Sequence, residues 1–277
     1  MDTLSYLKFE EFILNFAAKI RKTQVLKRFI DKLYNDFEVK VLVGVEFEFY
    51  LSYDFSEELS RIIQIPLKEE RGRFQYEIDI KPSSDLVKLI EEFDGIKEKI
   101  QDYAKKLDAQ AIFSAKPYLD DYGSSIHVHI NLLSKEGGNL FDDLKYKDLV
   151  ASSLCDSMAN DFLAFAPTRN CYLRYDKNYM APTKICYGNN NRSVAIRTPD
   201  ATPKRLEHRV SSSSADLYLV LYCILNSVYK GLSSKDYICD YPKIYGNAFD
   251  EQYKLKNFPQ DITKAYSNFV VAHEDWI

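Results

Sequence analysis

The chain has 277 residues, a formal net charge of -4, 46% hydrophobic and 28% charged residues, a balance ordinary for a water-soluble protein large enough to bury a sizeable core. No basic tract could neutralise a nucleic-acid backbone, and no apolar run is long enough to span a bilayer. The opening Met1-Asp2-Thr3-Leu4-Ser5 has no basic flank or cleavable apolar stretch, so a cytoplasmic protein with neither nucleic-acid nor membrane partners is expected. Cys155, Cys171, Cys186, Cys223 and Cys239 form no CxxC pair and are expected to be buried free thiols.

Phe9, Phe12, Ile13, Phe16 and Ile20 follow three-four spacing, and Leu26, Phe29, Ile30 and Leu33 continue it, so the first forty residues are predicted helical to about Tyr34. Residues 39–51 then read as a strand, and residues 74–80 as a second. Pro82-Ser83-Ser84 ends the latter, with Ser84 a candidate cap for an amphipathic helix from Asp85 to about Leu107. Residues 111–117 and 126–133 read as strands, and 145–165 as a helix stopped by Pro167. A loop-rich middle contains Tyr179-Met180-Ala181-Pro182 and Gly188-Asn189-Asn190-Asn191. Arg192–Arg197 and Arg205–Val210 are predicted as short strands, and Ser211–Ser214 as the opening of an apolar helix over Asp216–Tyr229. The last forty-odd residues show no clear periodicity. The pattern implies an α+β fold: a curved, mostly antiparallel sheet lining a cleft, backed by helices.

Side chains two apart on a strand share a face. Glu46 and Glu48 therefore project together, opposite Val45, Phe47 and Phe49, and His127, His129 and Asn131 do so opposite Ile126, Val128 and Ile130. Gln75, Glu77 and Asp79 share a third face. One such glutamate alone would suit a solvated face paired with a lysine. Glu46, Glu48, Glu70, Glu77 and Glu207 converging with His127 would repel one another unless divalent cations intervened, and magnesium or manganese suits such ligands. Arg174, Arg192, Arg197, Arg205 and Arg209 supply the opposite charge. Such arginines often bridge surface acids, but with divalent ions in one cleft they form a set fit for a nucleoside triphosphate. No GxxxxGK[ST] loop is present. His208 lies opposite the arginines and is expected to be a packed histidine; His273 carries no positional argument.

The order and spacing of these segments resemble the catalytic domain of glutamine synthetase, from about Val43 to Leu232 with a fainter echo to Phe269. Gly44–Leu51 resembles the family's strand of alternating metal-binding glutamates, and Glu70–Glu77 its E-x-x-x-G-Q-x-E segment, with Phe74 where that pattern has glycine. Gly123–His129 is similar to G-S-G-x-H-x-H, Asn191–Arg197 to N-R-S-x-x-x-R, and Arg205–Arg209 to R-x-E-x-R. Tyr172-Leu173-Arg174 through Ala181-Pro182 looks like the Y-K-R…E-A-P loop. The resemblance implies Glu46, Glu48, Glu70, Glu77, His127 and Glu207 as ligands of Mg2+ or Mn2+. It implies His129, Asn131, Arg192, Arg197, Lys204 and Arg205 against ATP, and Gly123, Arg174 and Arg209 against the acid substrate, with Arg192 and Arg174 also catalytic.

The implied activity is an ATP-dependent carboxylate–amine ligase that forms an acyl phosphate on a glutamate-like acid for an amine or ammonia to attack. Its partners would be small-molecule carboxylates and amines. Three further positions depart from the pattern: Met180 replaces the flap glutamate that helps hold ammonium, Tyr122 replaces an asparagine, and Ser125 replaces a glycine. A catalytically degenerate nucleotide- and metal-binding regulatory protein is the alternative, and a guanidino phosphotransferase a weaker third. Residues 1–38 are expected as a helical segment and 39–277 as the catalytic domain, shortened at its carboxyl end. A homo-oligomer remains open. The family's double ring is not expected, because the leading segment is too short for its amino-terminal β-grasp domain.

Overall fold

The computed structural model describes residues 3–234, 241 and 243–276. Cys239 falls outside them; the other four cysteines are buried. Two helices, α1 (Thr3–Lys22) and α2 (Val25–Phe37), lead in, separated by a break at Gln24 in the left-handed region. The rest of the order is β1 (Lys40–Leu51), α3 (Ser56–Ile63), β2 (Lys68–Glu69), β3 (Gln75–Ser83), α4 (Leu86–Lys106), β4 (Ala111–Ile112), β5 (Ile126–Leu133), α5 (Leu144–Phe165) and α6 (Arg169–Tyr172). There follow β6 (Lys184–Ile185), β7 (Tyr187–Gly188), β8 (Ile196–Arg197), β9 (Leu206–His208), α7 (Leu217–Ser233), β10 (Lys243–Ile244), β11 (Lys256–Asn257) and α8 (Ile262–Ala272).

Among the described residues the main sheet has nine strands in the order β10-β7-β8-β9-β5-β1-β3-β2, with β4 on the end of β1. Its pairs are antiparallel except β10 with β7 and β7 with β8. The inward face of β1 and β5 (Val45, Phe47, Phe49, Ile126, Val128, Ile130) is buried in one core that also takes in α4, α5, α7 and α8. Helices α1 and α2 join that core through Phe16, Ile20, Leu26 and Leu33. The apolar half of each strand's alternation is thus satisfied by helices, and the polar half is left on the other side of the sheet.

Several boundaries differ from the sequence reading, each for a local reason. Asp85, not Ser84, caps α4 by accepting from Lys88 N at 3.2 Å. The strand predicted over 111–117 shrinks to two residues, because β5 occupies that edge of β1 from Lys40 to Phe47. Its remainder is held by Asn170, whose Oδ1 accepts from Lys116 N at 2.8 Å and whose Nδ2 donates to Lys116 O at 2.8 Å. The serine run is a bridge and a turn rather than a helix: Ile126 N donates to Ser211 O, Ser212 N to Phe165 O and Ser213 N to Ser124 O, and the helix begins after Asp216, its cap. Asn191 Oδ1 accepts from Ser193 N at 3.0 Å, which turns the chain and shortens the strand predicted from Arg192 to β8. Strands β6 and β7 and helix α8 were not anticipated.

Candidate functional site

Strand register assembles most of the acidic cluster. Across the polar face Glu77 pairs with Glu48 between β3 and β1, Glu46 with His127 between β1 and β5, His129 with Glu207 between β5 and β9, and Glu207 with Arg197 between β9 and β8. Glu70 joins from the turn after β2, where its amide donates to Gln75 O at 2.9 Å. Donor atoms of Glu48, Glu70 and Glu77 lie within 4.8 Å of one another, as do those of Glu46, Glu77 and His127, and of Glu46, His129 and Glu207. Sharing Glu46 and Glu77 makes these overlapping sets one continuous cluster.

Like charges directly opposite on a sheet repel. Burial pushes the Glu77 carboxyl up to about 8, helped by the neighbouring charges of Glu46, Glu48 and Glu70. Burial likewise raises Glu70, with Glu48 adding to it. Burial works against Glu46 too, but the His127 and His129 imidazoles outweigh it and hold that carboxyl well below the usual range. Glu207 is opposed by burial and brought down to about 2 by Arg209, His127 and Arg197. Glu77 thus keeps a proton at neutral pH in the absence of a cation, whereas Glu46 and Glu207 stay ionised. Such a set of oxygens with one or two imidazoles fits hard divalent ions.

Sequence reasoning missed Lys68. It stands opposite Glu77 on β2, with Nζ 3.5 Å from Glu77 Oε1 and paired with Asp79. Gln75 was read only as a member of a polar face, yet it ties two loops together. Its Oε1 accepts from Gly72 N at 3.0 Å, and its Nε2 donates to Gly123 O at 3.0 Å. Both glycines are required by close approach: a Cβ on Gly72 would strike the Tyr50 hydroxyl, and one on Gly123 would lie 2.6 Å from Arg174 Cγ. Phe74, where the resembled motif has glycine, adopts φ 62°, a region that strains a bulky side chain.

Arg197 Nη1 donates to Glu207 Oε2 at 2.6 Å, and Arg209 pairs with the other oxygen. Arg205 Nε donates to His129 Nδ1 at 3.2 Å, which leaves His129 Nε2 facing Glu46 Oε1 at 2.9 Å. Arg174 is buried, and its guanidinium donates to Val210 O at 2.9 Å and Arg209 O at 3.1 Å, so much of its donor capacity braces the backbone. Arg192 is exposed on a turn. Of the residues that the sequence offered for metal, nucleotide or acid binding, all but Asn131 and Lys204 line one cleft of about 320 Å3. Asn131 is buried farther along β5 with an unpartnered Oδ1, and Lys204 is 3.9 Å from Asp200 outside the cleft. His208 is buried against Phe165, ring centroids 4.6 Å apart, and burial lowers its pKa to about 3. His273 is buried between Asp161, 2.9 Å from Nε2, and Tyr222, 3.1 Å from Nδ1.

Met180 has a left-handed backbone, φ 60°. It and Arg192 form the wall between the cleft and a second groove of about 500 Å3, lined also by Lys177, Asn191, Tyr245 and Phe249. Among the described lining residues of that groove none is acidic.

The family model for the glutamine synthetase catalytic domain matches residues 60–273. The chain belongs to the glutamine synthetase family. It is 29% identical over 189 residues to γ-glutamylputrescine synthetase PuuA of Escherichia coli (strain K12), covering 65% of this chain and 40% of that protein. It is 27% identical over 311 residues to the glutamine synthetase of Pyrococcus abyssi, covering 91% of this chain and 70% of the relative. The chain thus spans well under half of some curated relatives. Among solved structures, GmaS without ligand superposes with a TM-score of 0.77 at 21% identity, covering 91% of this chain and 67% of that one. Plasmodium falciparum glutamine synthetase gives 0.73 at 16%, covering 90% and 70%. These structures share the fold. The glutamine synthetase family comprises ligases that typically use ATP and divalent metal ions. Among the described residues no helix is long and apolar enough to cross a membrane.

Proposed function

We propose that this glutamine synthetase-family chain is an ATP-dependent carboxylate–amine ligase, with residues 39–277 as its catalytic unit and residues 1–38 as a helical segment packed on it. The observation that carries the reading is the continuous Glu–His cluster facing arginines across one cleft. In this reading Glu46, Glu48, Glu70, Glu77, His127 and Glu207 hold two Mg2+ or Mn2+ ions, which supply charge neutralisation along the triphosphate. Arg192, Arg197 and Arg205, with His129, face the phosphates. Arg209 and the Gly123 loop, braced by Arg174, receive a glutamate-like acid. The acid's carboxylate oxygen takes the γ-phosphoryl group and ADP leaves. The amine nitrogen then attacks the acyl carbon, the C–O bond to phosphate breaks, and the surplus amine proton goes to the departing phosphate or to water.

Met180 supplies neither charge nor base, and Lys177 and Arg192 flank the groove beside it. Both features support an acceptor amine that carries no further positive charge and has apolar bulk. The test is metal-dependent ADP release with glutamate and a panel of ammonia, apolar monoamines and diamines, together with hydroxylamine trapping of the acyl phosphate. Turnover with monoamines ahead of ammonia and diamines is expected, and the reverse order would reject this acceptor. No ADP release or hydroxamate with any acid would reject catalysis of this kind. Tight nucleotide binding without turnover would support a regulatory binding protein instead, a reading that Met180 favours.

A further inference from the structure

Ser125 stands between the two ends of the acidic cluster and touches both. Its backbone holds Glu48: the Ser125 amide donates to Glu48 Oε2 at 2.8 Å, and its carbonyl accepts from Glu48 N at 2.9 Å. Its hydroxyl lies 2.9 Å from His127 Nε2, and both side chains are buried. The other ring nitrogen of His127 faces the carboxylates, with Nδ1 3.6 Å from Glu46 Oε2 and 3.7 Å from Glu207 Oε1. Those separations exceed hydrogen-bond length. They leave Nδ1 aimed into the space between the Glu46 and Glu207 carboxylates.

We propose that Ser125 is a positioning residue whose hydroxyl accepts the His127 Nε2–H, keeping the Nδ1 lone pair turned into the cluster as the metal-facing donor. The inference rests on the metal-binding reading above. An imidazole that donates from one nitrogen to a fixed oxygen is locked in tautomer and ring orientation, and loss of such a partner typically weakens metal binding about 10–100-fold. The two contacts of Ser125 are separable. Alanine at this position would keep the backbone pairing with Glu48, whereas the contact with His127 comes from the hydroxyl. The resembled motif has glycine here, so the second contact is an addition of this chain. Removing the hydroxyl should therefore loosen the ion held by His127 and leave the one held by Glu48, Glu70 and Glu77 unchanged.

The full chain has four histidines, so long-range 1H–15N correlation spectra of 15N-histidine-labelled protein will resolve His127. With Zn2+ as a diamagnetic stand-in, wild type is expected to show Nε2 protonated and Nδ1 bare. Mn2+ titration followed by electron paramagnetic resonance should show two classes of site. Ser125→Ala should weaken one about tenfold and spare the other, and Ser125→Thr should restore it. A protonated Nδ1 in the wild-type spectrum overturns the proposal, and that spectrum decides even if Ser125→Ala does not fold. Equal weakening of both classes, or none, also overturns it while leaving metal binding intact. Failure of wild type to bind any Mn2+ rejects the metal reading together with this inference.

Discussion

The two walls of the cleft are built by different means. The acidic wall sits on β3, β1, β5 and β9, where neighbouring carboxylates and imidazoles are cross-strand partners and their spacing is set by the pleat. The wall carrying Arg174, Met180 and Arg192 sits on connections, whose shape depends on side chains lent by asparagine and aspartate. Asp176 Oδ1 accepts from Asn178 N at 2.9 Å, and Asn191 bonds Ser193 and Gly246. A pleated wall cannot relax its internal repulsion by moving, so it must be neutralised. A looped wall can accept a change of residue without disturbing the sheet.

The sharpest way to break this contrast is Glu207→Ala. It strands Arg197 and Arg209 beside a buried gap, and removal of one partner from a buried ion pair costs about 3–5 kcal/mol, so urea unfolding should show a large loss along with loss of Mn2+ binding. Next comes pH. Glu77 titrates at about 8 when folded against an ordinary 4.5, so the folded state holds an extra proton between those values. Without divalent ions, stability contributed by this group is fully present below about pH 4.5 and is lost as pH rises toward 8, by up to a few kcal/mol. Thermal melts between pH 5 and 8 should fall with pH in chelator and flatten or reverse in saturating Mg2+, as cation replaces proton.

Gln75→Ala tests the seam between the two walls. It leaves Gly72 N and Gly123 O without their partner and should cost about 1–3 kcal/mol in denaturant unfolding. The smallest effect is expected on the looped wall. Asn191→Ala should cost only about 1 kcal/mol, yet raise the KM for the amine more than that loss of stability would suggest. A stability loss there as large as that of Glu207→Ala would erase the distinction.

The acidic wall was legible in sequence because a two-residue period leaves a visible mark: Glu46/Glu48, Gln75/Glu77 and His127/His129 alternate with residues that the fold buries. Lys68 was not legible, since its role comes from a strand of two residues whose register with Glu77 has no local signal. The same brevity hid β6 and β7. Helix α8 did carry a signal that went unread, with Asp261 as cap and Ile262, Ala265 and Phe269 on its buried side. The bracing role of Arg174 was beyond reach, because its acceptors are backbone carbonyls 35 and 36 residues away.

Lys68 gives the cleft a tethered ammonium at the edge of the sheet, half exposed and leaning on Glu77 and Asp79. In the proposed reading a divalent ion at Glu77 would displace the proton held there and sit beside that ammonium, so its electrostatic gain would be smaller than beside a neutral neighbour.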